Sequence, residues 1–121
     1  MAEYLPVNKP GQALVSTASA AIVGGVLVAV SGDGTVATAG AATVAWVGVA
    51  AFDAASGDRV TVHAGGVQEL TASGAITAGA AVVSGAGGTV VSSATPAAAT
   101  QVGVALTTAA DGAKVRVKLA R

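Results

Sequence analysis

Cysteine is absent from the 121 residues, and histidine occurs once. Disulfides and thiolate nucleophiles are therefore excluded, and no Cys/His set for zinc can be assembled. A chain without cysteine fits a protein made in a reducing cytosol. Aromatic residues make up 2% of the chain, namely Tyr4, Trp46 and Phe52. That is too few for the stacking platform of a single-strand nucleic-acid binder. Charge is also scarce: six basic and six acidic residues give a formal net charge of zero. No overall field exists to draw the chain to nucleic acid or to an anionic membrane, so neither is expected as a partner.

What remains is mostly alanine, valine and glycine, with 53% hydrophobic residues and 17 glycines. The length is that of one domain. Alanine brings one methyl group to a core, and each buried group of that size is worth about 0.8 kcal/mol. Ordering a residue costs about 1.5 kcal/mol. An isolated monomer of this composition is expected to be marginal, with further burial supplied by self-association or by docking on a larger surface. The uncharged run 13–30 is near the lower length limit for a bilayer span. Ser16, Thr17, Ser19 and the pair Gly24-Gly25 interrupt it, and no basic stretch precedes it. Two short strands broken at Gly24-Gly25 are expected there.

The chain repeats itself. Val47-Gly48-Val49-Ala50 is followed by Ala54-Ala55, Gly57, Val60 and Val62. Val102-Gly103-Val104-Ala105 is followed by Ala109-Ala110, Gly112, Val115 and Val117, each 55 residues further on (47 to 102, 62 to 117). Upstream, Gly34-Thr35-Val36 and Gly88-Thr89-Val90 correspond at an offset of 54. The order and spacing point to an internal repeat of approximately 20–67 and 75–121. Two such units suit the two similar halves of one barrel; a solenoid needs about three.

Strands are expected at 13–19, 26–31, 35–39, 44–52, 59–64, 67–71, 80–84, 89–92, 101–107 and 114–120. Glycine-bearing turns separate them, with a hairpin at Ser31-Gly32-Asp33-Gly34. One helical turn is expected in 94–100, after Pro96. The fold class is all-β: a small β-barrel or sandwich of short strands built from two similar halves. Residues 1–11 differ. Pro6 and Pro10 disfavour both helix and central strand, so an extended N-terminal arm is expected, followed by a single β domain at 12–121. The arm is either a frayed terminus or a segment that docks Tyr4, Leu5, Pro6 and Val7 on a neighbour.

Reactive side chains are few. His63 falls on the polar face of its strand, alternating with Val60 and Val62, and no Gly-x-Ser-x-Gly elbow accompanies it. Asp33, Asp58 and Asp111 lie in or beside glycine turns, where aspartate caps its own backbone. No carboxylate pair is set for acid–base work, and no metal-ligand spacing occurs. Gly85-Ala86-Gly87-Gly88 lacks the Lys-Ser/Thr of a phosphate loop and reads as a hairpin turn. No catalytic residue, cofactor or metal is expected. Residues 114–121, the last strand and Arg121 after it, carry four of the six basic residues. Lys114, Arg116 and Lys118 alternate with Val115, Val117 and Leu119, which reads as a charged edge strand or as an electrostatic contact for an acidic partner. Trp46 and Phe52 share parity on one expected strand, hence one face, as core or as interface anchors.

The stretch Val47-Gly48-Val49-Ala50, Ala54-Ala55-Ser56-Gly57-Asp58, Val60-Thr61-Val62, Gly65-Gly66-Val67-Gln68-Glu69-Leu70 and Ile76-Thr77-Ala78-Gly79 resembles the small tailed-phage capsid decoration proteins, also called capsid cement or head-stabilising proteins. So does Val102-Gly103-Val104-Ala105-Leu106 with Asp111-Gly112-Ala113-Lys114-Val115-Arg116-Val117-Lys118-Leu119. The resemblance implies a non-enzymatic β-barrel-like protein on the outer surface of a virion. It implies the major capsid protein as partner and self-association as a homotrimer. Such proteins tie neighbouring capsid subunits together against the pressure of packaged DNA. The interface residues expected on this reading are Tyr4, Leu5, Pro6, Val7, Trp46, Phe52, Lys114, Arg116 and Lys118. Other readings stand beside it. A surface-display or glycan-binding β module predicts exposed aromatics. A small barrel enzyme predicts a cluster of reactive groups at one barrel end. A tail protein or other virion component predicts the same inert composition.

Overall fold

Ten short strands alternate with turns along residues 4–9 and 11–121, the part of the chain that this computed structural model describes. Residues 1–3 and Pro10, which the expected arm includes, lie outside the described residues. The strands are β1 (Leu14–Ala18), β2 (Leu27–Gly32), β3 (Thr35–Thr38), β4 (Trp46–Ala50), β5 (Arg59–His63), β6 (Val67–Thr71), β7 (Ala81–Ser84), β8 (Val90–Ser92), β9 (Gln101–Ala105) and β10 (Lys114–Leu119). Every expected strand is present, most within a residue of its expected ends. β4 and β9 stop two residues early, at Ala50 and Ala105. A single 3₁₀ turn, Ala86–Gly88, joins β7 to β8, and a turn closes at Thr100, whose N–H donates to Ala97 O. Among the described residues no helix is long and apolar enough to cross a membrane.

The first five strands close a barrel in the order β1-β3-β2-β4-β5, with β1 pairing β5 antiparallel and β3 parallel. Closure leaves this sheet without an edge. The last five form a second sheet, β6-β10-β9-β7-β8. Its ends are joined by one parallel bridge, Ala72 to Val90, where the first barrel has the β1–β3 pair. The two sheets share one wiring. Thr17 pairs Arg59 as Thr71 pairs Lys114, and the bridge Ile22–Ala54 returns as Ile76–Ala109. The hydrogen bond from Gly57 N to Ala18 O returns as Gly112 N to Ala72 O. Residues 14–63 and 67–119 thus each build a five-stranded sheet, not half of a shared barrel, and the expected repeat bounds 20–67 and 75–121 leave out β1 and β6. The offset in sequence shows which strands are equivalent; it does not show which strands pair.

The Val-Gly-Val-Ala units have a structural cause. In β4, Val28 pairs Gly48 and Ala29 pairs Trp46, so Val47 is an extra residue, a β-bulge. In β9, Val82 pairs Gly103 and Val83 pairs Gln101, which makes Val102 the extra residue. Beside each bulge the glycine lies against the neighbouring strand. A Cβ on Gly48 would strike His63 O, and one on Gly103 would strike Lys118 O. The bulge also resets the alternation, so that Trp46 and Val49 face the same way. Trp46 and Phe52 therefore do not share a face: Trp46 is buried, and Phe52, beyond the end of β4, is exposed.

Ala18, Ile22, Val28, Val36, Ala50, Ala54, Val60 and Val62 fill the first barrel. Their counterparts in the second sheet, among them Ile76, Val82, Val90, Val115 and Val117, belong to a larger cluster. That cluster also takes in Leu27, Ala29, Trp46 and Val49 from the outer wall of the first barrel. The second sheet's open end is thus plugged by the β2/β4 wall of the first.

Candidate interaction surface

The seam between the halves is polar as well as apolar. Ala42 N donates to Ser84 O, Thr43 N to Ser84 Oγ at 3.0 Å, and Gly88 N to Ala39 O at 3.0 Å. At Gly88 a side chain is excluded, since a Cβ there would lie 2.7 Å from the Val26 Cβ. Trp46, 1% exposed, is the largest side chain at the seam. The Arg121 guanidinium lies 4.3 Å from its ring centroid and donates to Val44 O at 2.7 Å and Trp46 O at 3.0 Å. The last residue of the chain therefore clamps the fourth strand. Trp46 offers no surface to a partner here, because the second sheet already covers it.

The other expected interface residues are on the surface. Tyr4, Leu5, Pro6 and Val7 are exposed, Val7 at 93%. Asn8 Nδ2 donates to Ala13 O, and Lys9 N donates to Gln12 Oε1, which ties the end of this segment to the start of the domain. Phe52 is 49% exposed. Along β10 the burial alternates strictly, with Lys114, Arg116 and Lys118 out and Val115, Val117 and Leu119 in. β10 is not an edge strand, however: β6 pairs one side of it and β9 the other. Its charges cannot serve to blunt a sheet edge. They stand in a covered sheet, with Glu69 directly opposite Arg116, Val67 opposite Lys118 on β6, and Val104 opposite Lys118 on β9. The structure brings the basic stripe and the exposed valines together on the second sheet. The arm segment lies apart, beside the mouth of the first barrel, where Asn8 lines a hollow.

Sequence reasoning did not single out that mouth. It is a hollow of about 260 Å³ lined by Leu14, Val15, Val30, Val36, Val47 and Val62, among others. Val15 is 57% and Val30 51% exposed there.

His63 is exposed at the end of β5, as its alternation predicts. Among the described residues, no three of His, Cys, Asp and Glu gather as a metal set would. Asp111 does not cap its own turn. Its Oδ1 accepts from Gly74 N at 2.8 Å, and Asp53 Oδ1 accepts from Gly24 N at 2.7 Å, so both fasten one loop to another.

Fold and surface together define a small structural β protein whose resources are area, shape and a few charges. The profile of the phage cement protein family matches residues 8–119, and the chain belongs to that family. Its role is thus a structural one, associated with the phage capsid. No curated protein matches the chain. Among solved structures, the N base of the head fiber gp8.5 of bacteriophage phi29 is similar, with a TM-score of 0.72 at 24% identity over 89% of this chain and 92% of that one. At that identity the likeness is one of fold.

Proposed function

We propose that the chain is a non-enzymatic cement that binds the outer capsid surface as a homotrimer and bridges neighbouring major capsid subunits. The observation that carries this reading is the family match over residues 8–119. The geometry supports it with two separate exposed surfaces of different chemistry. One is the apolar segment Tyr4, Leu5, Pro6 and Val7, with Phe52 as a further exposed aromatic; the other is the stripe Lys114, Arg116 and Lys118 on the second sheet. A bridging protein needs more than one attachment surface, and a single-site binder does not. On this reading residues 1–11 are the arm and 12–121 the body, and the protein is made in the host cytoplasm before it joins the virion. Nucleic acid, membrane and cofactor have no part in it.

The test is to add purified chain to expanded heads that lack it, image the added density, and heat the heads to the point of DNA release. Added density between capsid subunits and a higher release temperature are expected. Density confined within single subunits, or an unchanged release temperature, would overturn bridging. The variant carrying Tyr4→Ser, Leu5→Ser and Val7→Ser should occupy fewer sites at equal concentration.

A further inference from the structure

The internal repeat shows what fits the mouth of the first barrel. Within the chain, the open end of the second sheet is filled by the β2/β4 wall of the first barrel. Leu70, Ser84, Val90, Val102 and Val117 at that end are all buried. Their counterparts at the repeat offset are Ser16, Val30, Val36, Val47 and Val62, and these line the hollow of the first barrel, which none of the described residues fills. The wall is duplicated too. Leu27, Ala29 and Val49, buried at the seam, correspond to Ala81, Val83 and Val104 on β7 and β9. Val104 is 39% exposed. The chain therefore carries one used socket and one vacant socket, and one used wall and one vacant wall. Even the turn that permits close approach is kept: Gly34 has φ +72° with open space before it, as Gly88 has φ +75° against Val26.

We infer that the vacant socket of one chain receives the vacant β7/β9 wall of a second copy, head to tail, repeating between molecules the contact made within each. This rests on the self-association in the reading above and names the surface that makes it. The contact is heterologous, since the two surfaces differ. It gives a ring if its rotation closes and a chain if it does not. It also lacks the lock of the inner seam. Gln101 stands where Trp46 stands, and Gly66 where Arg121 stands, both 55 residues apart. The intermolecular contact is accordingly the weaker one and depends on concentration.

The test needs no capsid, so its failure leaves capsid attachment standing, and loss of attachment leaves its result standing. Sedimentation of the full-length chain should give concentration-dependent mass above the 11.2 kDa of one chain. Val30→Asp spoils only the socket and Val104→Asp only the wall, both at exposed positions. Each variant alone should sediment as a monomer. Mixed one to one, they should form a dimer and nothing larger, because one intact socket and one intact wall remain. If circular dichroism shows either variant unfolded, Val15→Lys replaces the first and Ala81→Asp the second. A wild-type chain that stays monomeric overturns the inference. So does loss of assembly in Val30→Asp alone, which would mean socket against socket. Assembly untouched by both variants, which would leave the arm or another surface as the contact, and a mixture without dimer overturn it as well.

Discussion

Gly48 and Gly103 answer for the most conspicuous repeat in the sequence. Neither has positive φ; what each needs is room for the carbonyl of the adjacent strand. Gly48→Ala and Gly103→Ala should each destabilise by about 1–3 kcal/mol, the usual cost of overpacking. At a slope of about 2 kcal/mol per M, a urea midpoint lower by about 0.5–1.5 M would register this. Placing either change on the second or the first sheet should make little difference, because the two sites are equivalent. Trp46 presents a different trade. It is the one described residue with a buried side-chain polar atom lacking a partner, its Nε1. Burying an unpaired N–H costs about 1–3 kcal/mol. Trp46→Phe, which keeps a ring under Arg121 and removes that N–H, should cost less than about 1.5 kcal/mol, whereas Trp46→Ala should cost about 3–5 kcal/mol. Thermal melts of the two variants check the order. The sequence marked Trp46 as core or anchor without deciding. What decides it is the bulge at Val47, a pairing event that side-chain alternation within β4 does not record.

At the level of elements, the strands were legible because valine alternation and glycine turns agree at every boundary. The roles of strands were less so. β10 reads as an edge because a charged face is how edges are protected, yet it lies between β6 and β9. Its charge is thus free of any duty toward sheet edges, which strengthens the case for a contact. Reversing Lys114, Arg116 and Lys118 to glutamate should leave the melting temperature within a few degrees, since exposed charges contribute little to stability. Head occupancy should fall at low salt, and wild-type occupancy should itself fall as salt screens the stripe. Occupancy that is insensitive to both the substitutions and salt would assign attachment to the apolar surfaces instead. The mouth of the first barrel was not legible at all. Recognising it requires knowing that β1 and β3 run parallel, a pairing between segments about 18 residues apart (17 to 35) that no local pattern encodes.

For the whole molecule the question is whether the closed barrel and the second sheet fold as one unit. Composition argues for a marginal body, and the distribution of the core says how the margin is met. The first barrel has a core of its own, whereas the core of the second sheet includes Leu27, Ala29, Trp46 and Val49 from the first. Separation would expose both the wall that carries Trp46 and the socket that receives it. Unfolding should therefore be a single cooperative transition. For a chain of this length the enthalpy near 60 °C is about 85 kcal/mol, and a half unfolding alone would show about half of that. Calorimetry should find the measured enthalpy equal to the van't Hoff value. A van't Hoff value near half the calorimetric one would mean that the halves melt independently and that the seam contributes little. Arg121→Ala distinguishes the two pictures further. It removes the guanidinium from the Trp46 face and leaves both sheets intact, so in a coupled molecule it lowers the one transition. In an uncoupled molecule it leaves both transitions where they were. Coupling of this kind suits a cement, because a partner that grips either half then stabilises both, by mass action on a single folded state.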